Sequence, residues 1–168
     1  MTAMGSDEGY TRAATWDDVT LLARLLRAED VRYALIGGYA LAAHGLVRFS
    51  EDVDVLVAPD EENTVRWIRA LSQLPDHAAR ELEGETQLFS GDGPYAIRIN
   101  DAFTIDVMGA ACGYSWNELE PYIEEKLIDG EPLKLLNAEG LLLTKQGMRD
   151  KDRADARALR AFLEQTKK

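Results

Sequence analysis

The sequence predicts an α+β fold: a mixed β-sheet flanked by helices, with a helical C-terminal segment. Three observations lead there. Apolar residues recur at helical spacing in separated stretches, whereas short runs such as Asp52–Val57 alternate with the period of two of a strand. The two kinds of segment follow one another as helix, strand, helix, strand, helix, strands, helices. The 168 residues, 46% of them hydrophobic, can enclose one core but not two.

Residues 1–14 read as a flexible polar leader and residues 15–168 as a single domain, with C-terminal helices from about residue 115. Thr15 precedes a helical stretch, and Asp18 stands where a capping box places its acid. Val19, Leu22, Leu25 and Leu26 then share one face. Val31–Ile36 predicts a buried strand stopped by Gly37-Gly38, and Tyr39–His44 a short helix that Gly45 ends. Pro59 and Asp60 start a helix through about Leu74. Strands are predicted at Thr86–Phe89, Tyr95–Ile99 and Phe103–Met108, the last two joined by a tight turn at Asn100-Asp101. Ser115 caps a helix running through WNELEPYIEEKL, bent or restarted at Pro121. Asp129-Gly130 is a hairpin turn, and Asn137–Gln146 and Asp150–Leu163 are closing helices.

Composition narrows the function. There are 19 Lys plus Arg against 30 Asp plus Glu, a formal charge of -11. That balance disfavours wrapping bare nucleic acid, whose affinity comes from cations on phosphates. A nucleoside triphosphate remains compatible, because metal ions held by acids can carry its phosphates. Cys112 is the only cysteine, so a disulfide framework and a cysteine-rich zinc site are excluded within this chain. The N-terminal stretch lacks a basic start followed by an apolar run, and no segment reaches the ~18–20 apolar residues of a membrane helix. A cytoplasmic protein without membrane association is expected.

The chemistry lies between residues 36 and 54 and at Asp106. Asp52 and Asp54 fall on the same face of one strand, roughly 7 Å apart along it. In water such a pair repels, whereas divalent cations want several oxygen ligands and reverse the sign. Asp106, between Ile105 and Val107, adds a third acid that must face solvent, a partner or a metal. Two cations on three acids can bridge a phosphate, activate a hydroxyl and hold a leaving pyrophosphate. The Gly37-Gly38 turn opens a helix, letting backbone amides approach phosphate oxygens without a Cβ between.

These residues resemble the DNA polymerase beta-like nucleotidyltransferase superfamily, whose signature is an apolar residue, Gly-Gly or Gly-Ser, a gap and then Asp-x-Asp. Here it reads Ile36-Gly37-Gly38, thirteen residues, then Asp52-Val53-Asp54. The chain is more specifically similar to the minimal bacterial members, of abortive-infection and toxin–antitoxin type. Their GGxAxxxHGxxRxTxDxD stands against GGYALAAHGLVRFSEDVDV, with Ser50 in the place of Thr. A C-terminal motif also matches, at Lys145, Arg149, Asp152 and Asp155.

The resemblance implies a nucleotidyltransferase fold for the single domain and metal-dependent transfer of a nucleoside monophosphate to an acceptor hydroxyl, releasing pyrophosphate. It implies Asp52, Asp54 and Asp106 as catalytic metal ligands and Mg²⁺ or Mn²⁺ as the cofactor. Gly37, Gly38, Arg48, Ser50, Lys145 and Arg149 become the nucleoside triphosphate contacts. The acceptor is a protein, a small molecule or, against the acidic balance, tRNA; a partner protein is also implied.

Blander readings stand beside these. Asp52 and Asp54 also fit a solvated strand face, and Asp106 a water-facing hairpin acid. Arg48 also fits a surface pair with Glu51 or Asp52, and Lys145 and Arg149 ordinary pairing with Asp152 and Asp155. His44 reads as a helix-end residue packing under the site. Two other functions compete: a toxin–antitoxin or regulatory module that uses the fold to grip a partner, and a metal-dependent phosphohydrolase. The second usually needs His-Asp ligands, and the chain has only His44 and His77.

Overall fold

The computed structural model describes residues 11–46, 50–89, 96–145 and 150–166. Arg48, Arg149, the first ten residues and the expected strand start at Tyr95 lie outside them. Helix α1 (Trp16–Ala28) opens on the expected capping box, with Thr15 and Asp18 each bonded to the other's backbone amide. Its inner face buries Val19, Leu22, Ala23 and Leu26, each large side chain worth about 1.5–3 kcal/mol of removal from water. The segment just before it lies against the body of the domain. Ala14 is buried, its amide donates to the Glu51 carbonyl, and Arg12 pairs with Asp18.

Strand β1 (Tyr33–Ile36), helix α2 (Gly37–Ala43) and strand β2 (Val53–Val57) follow. Helix α3 (Glu61–Leu71) begins where the Asp60 side chain accepts the Asn63 amide. A 3-10 turn spans Ala78–Leu82, and β3 (Ala96–Asn100) and β4 (Thr104–Met108) form a hairpin. The short strands β5 (Ala110–Ala111) and β6 (Tyr114–Ser115) pair with each other. Then come α4 (Trp116–Leu119), β7 (Ile123–Ile128), β8 (Glu131–Leu136), α5 (Ala138–Leu143) and α6 (Asp150–Thr166).

Six strands form one mixed sheet in the order β3-β4-β2-β1-β8-β7. β2 runs antiparallel to β1 and parallel to β4, and β8 is parallel to β1. α1 packs on α3 and β8, while α2 packs on α5, which in turn carries α6. The mixed sheet with flanking helices and a helical end is the fold class expected from the sequence.

Four local expectations need correction. Thr86–Phe89 forms no strand; Phe89 instead packs near Trp67, ring centroids 6.3 Å apart. The helix from Ser115 stops at Leu119, a 3-10 turn containing Pro121 follows, and Ile123–Ile128 is a strand. Pro121 cannot donate to a helical ladder, and the hairpin with β8, turned by Asp129 and Gly130 at φ 52° and 81°, claims the rest. The helix from Asn137 ends at Leu143 rather than Gln146. The β3–β4 connection holds three residues, not two, because Asn100 pairs with Thr104. Asp101 is buried there, accepting the amides of Asp76 and Ala78 at 2.8 and 2.9 Å and tying the hairpin to the 3-10 segment.

β2 departs from simple alternation. Val53, Val55, Leu56 and Val57 are all buried, as a central strand covered on both faces requires. Polarity is confined to its start, at Asp52 and Asp54.

Candidate active site

The site forms where β1, β2 and β4 lie side by side. Ile36 stands opposite Asp54 in the antiparallel pair, and Asp54 beside Asp106 in the parallel one. Sheet register therefore brings two of the three expected acids next to each other. Asp52, just before β2, joins the same region from the start of that strand.

Gly37 makes room for this arrangement. It turns from β1 into α2 at φ +73°, a conformation L side chains rarely adopt. A Cβ there would lie 2.2 Å from Asp54 Oδ2. The steric demand at Gly37 is thus set by Asp54, while Gly38 lies within the helix.

Electrostatics mark Asp54 as the focus. Its pKa rises to about 7, first because burial penalises the charged form, then because Asp106 and Asp52 repel it. Lys145 and Arg98 pull weakly the other way. Such a carboxylate sits within easy reach of ionisation by any added cation.

Arg98 is the member of this cluster that sequence reasoning missed. On β3, directly opposite Asp106, its Nε donates to Asp106 Oδ1 at 3.0 Å and its Nη2 to Asp106 Oδ2 at 3.1 Å. Nη2 also donates to Asp52 Oδ2 at 3.2 Å. The bond to Asp106, with the charges of Asp106, Asp52 and Asp54, raises the Arg98 pKa still further. A signal was available: centring the hairpin on Ala102 pairs residue 98 with residue 106.

Among the described residues, no three His, Cys, Asp or Glu side chains close on one point as a ready-made cage; the Arg98 guanidinium spans two of the acids instead. The donor chemistry still suits a hard divalent cation, since the three carboxylates offer only oxygen ligands and two of them, Asp52 and Asp106, already share the Arg98 guanidinium.

The remaining expected residues divide. Lys145 follows α5 and lines the same open cleft as Gly37, Asp54, Arg98 and Asp106, a space of about 500 Å³. Its Nζ is also 3.2 Å from Asp155 Oδ2 and 3.8 Å from Asp152 Oδ1, the pairing that the blander reading of Lys145 expects. Ser50 turns its hydroxyl onto the Asp52 carbonyl at 2.8 Å, shaping the approach to β2. His44 is buried at the end of α2, its Nε2 3.0 Å from the Leu136 carbonyl and its ring centroid 6.0 Å from that of Phe162. Arg48 and Arg149 lie outside the described residues. No described helix is long and apolar enough to cross a membrane.

Comparison with known proteins gives the family and the fold. A family model described as nucleotidyl transferase AbiEii toxin, type IV TA system, matches residues 20–145. Comparison with curated proteins returned no match. Among solved structures, the lincosamide antibiotic adenylyltransferase LnuA with lincomycin bound superposes with a TM-score of 0.60 at 15% identity, covering 89% of this chain and 99% of that one. A Thermotoga maritima protein provisionally assigned as a nucleotidyltransferase gives a TM-score of 0.53 at 18% identity, covering 86% and 89%. These likenesses establish a shared fold. Because the family model spans well over half of its length and that fold agrees, the chain belongs to the nucleotidyl transferase AbiEii toxin family of type IV toxin–antitoxin systems, and it is a nucleotidyltransferase.

Proposed function

We propose that this protein moves a nucleoside monophosphate from a nucleoside triphosphate to an acceptor hydroxyl, releasing pyrophosphate, with Asp52, Asp54 and Asp106 holding Mg²⁺ or Mn²⁺. One observation carries the reading: Asp54 and Asp106 line one cleft, Arg98 ties Asp52 to Asp106 beside them, and burial and the two neighbouring acids push the Asp54 carboxyl up to about 7. Bound divalent cations would neutralise these acids, polarise the α-phosphate and favour the acceptor's alkoxide.

The chain's own residues do the rest. Asp54 on β2 and Asp52 just before it orient the triphosphate end, while Asp106 faces the acceptor and helps take its proton. Gly37, lacking a Cβ, lets the Asp54 carboxylate lie against the start of α2, and the Gly37-Gly38 turn offers its amides to phosphate oxygens. Lys145, held in place by Asp152 and Asp155, presents a fixed positive charge to the cleft. Ser50 sets the Asp52 backbone, and Arg48 and Arg149 complete the phosphate contacts.

The acidic surface favours a protein or small-molecule acceptor over tRNA. Family membership supports an antitoxin as the partner protein and the cytoplasm as the working compartment. The test offers ATP labelled at the α- or the γ-phosphate, with Mg²⁺ and a cell lysate as acceptor source. Label appearing on an acceptor from the α position alone supports the proposal. Transfer from the γ position would make the protein a kinase and overturn it.

A further inference from the structure

Arg98 stands where divalent cations are needed. A cation held by Asp52, Asp54 and Asp106 takes inward-facing oxygen lone pairs. Arg98 now occupies both oxygens of Asp106 and one of Asp52, at 3.0, 3.1 and 3.2 Å. The two arrangements compete for the same oxygens. Arg98 can give way: its side chain is 59% exposed, whereas Lys145 is only 10% exposed and lies between two buried acids. Arg98 cannot go far, because the β3–β4 register keeps its backbone opposite Asp106. Once released, the guanidinium remains at the cleft, where its planar fork matches a phosphate as well as a carboxylate.

We infer that Arg98 is a tethered competitor for the metal position. It holds Asp106 and Asp52 in the empty enzyme, resists divalent cations arriving alone, and turns to the triphosphate when cation and nucleotide arrive together. The inference rests on the metal-dependent reading above. It makes metal and nucleotide binding mutually reinforcing, since each then favours the displaced Arg98. It also places Arg98 as a positioning residue for the transfer reaction.

The test uses the full chain and Mn²⁺, followed by the paramagnetic resonance of free Mn²⁺ and by calorimetry. Arg98→Gln keeps much of the length and hydrogen bonding without the charge; Arg98→Lys keeps the charge without the fork. In the absence of nucleotide, Arg98→Gln should bind Mn²⁺ about fivefold more tightly than wild type, the upper end for an exposed ion pair. It should bind Mn²⁺–ATP about tenfold more weakly, with Arg98→Lys between the two in both measurements. If wild type binds Mn²⁺ measurably and Arg98→Gln binds it no better, the competitor role is overturned while the metal site stands. Tighter Mn²⁺ with unchanged Mn²⁺–ATP affinity overturns the turn toward the phosphates. If neither protein binds Mn²⁺ at millimolar concentration, the metal-dependent reading falls and takes this inference with it.

Discussion

Gly37→Ala separates the conformational demand of the glycine turn from its steric demand. Two costs act at this position. An Ala at φ +73° pays for left-handed backbone, about 1–2 kcal/mol. Its Cβ would also overlap Asp54, 2.2 Å from Oδ2, 3.0 Å from Cγ and 3.1 Å from Asp54 Cβ. Rotating the carboxylate relieves the first clash only, so β2 must also shift, and overpacking of this kind costs about 1–3 kcal/mol. Gly45, at the far end of α2, is the control. It has φ +89° with nothing within 4 Å of an added Cβ, so Gly45→Ala should cost only the backbone term. Urea unfolding should therefore show a loss of about 1–2 kcal/mol for Gly45→Ala and about 2–5 kcal/mol for Gly37→Ala. Combining Gly37→Ala with Asp54→Gly should return most of the excess, since the colliding atoms are gone. Equal losses for the two single variants, or no coupling with Asp54, would show that Gly37 is a turn glycine and nothing more.

Three further outcomes follow from the same geometry. Asp54 keeps its proton to about pH 7 in the folded chain against an ordinary 3.8 when unfolded, so the folded state binds more protons between these values. Metal-free stability should fall as pH rises from about 4 to about 7, by at most about 4 kcal/mol. Asp54→Asn should flatten that stretch in urea midpoints measured with a chelator. Asp106→Asn keeps the shape of the acid without its charge. It should leave ATP affinity within about tenfold of wild type while α-phosphate transfer drops by about two or more orders of magnitude, measured with α-labelled ATP; normal transfer would remove Asp106 from the reaction. Lys145→Met takes an ammonium from between buried Asp152 and Asp155. It should destabilise the fold by about 3 kcal/mol or more, a loss read by thermal denaturation and partly restored in Lys145→Arg.

The sequence showed most where a local rule acts alone. The Thr15–Asp18 capping box and the Asp129-Gly130 turn each depend on a few neighbouring residues, and both form as read. The Gly-Gly and Asp-x-Asp pair was legible because both motifs border single strands. The errors arose where distant partners decide. Ile123–Ile128 looked helical beside its glutamates, yet β8 makes it a strand. Thr86–Phe89 had strand-forming residues but no strand to pair with, and Phe89 went to Trp67 and Gly109 instead. Arg98 escaped notice for the same reason: nothing around it in sequence is unusual, and its meaning comes from the residue across the hairpin. Asp101, read as a turn residue, is a buried staple because of amides some 25 positions away.

The strand order also has a consequence for synthesis. β1 lies between β2 and β8, and all four of its residues, Tyr33 to Ile36, are buried in the finished protein. Its partner on one side comes about twenty residues later, but Leu135, which pairs with Leu35, comes a full hundred residues later. While the ribosome makes the intervening chain, the emerging domain presents an apolar strand with one open edge, the kind of surface that templates unwanted pairing. Asp54 and Asp106 can meet during that interval, yet Lys145 is still unmade. The nascent chain is therefore at its most adhesive before its cleft is complete, so a binding partner or chaperone that shielded β1 early would act on the protein before it could act on anything else.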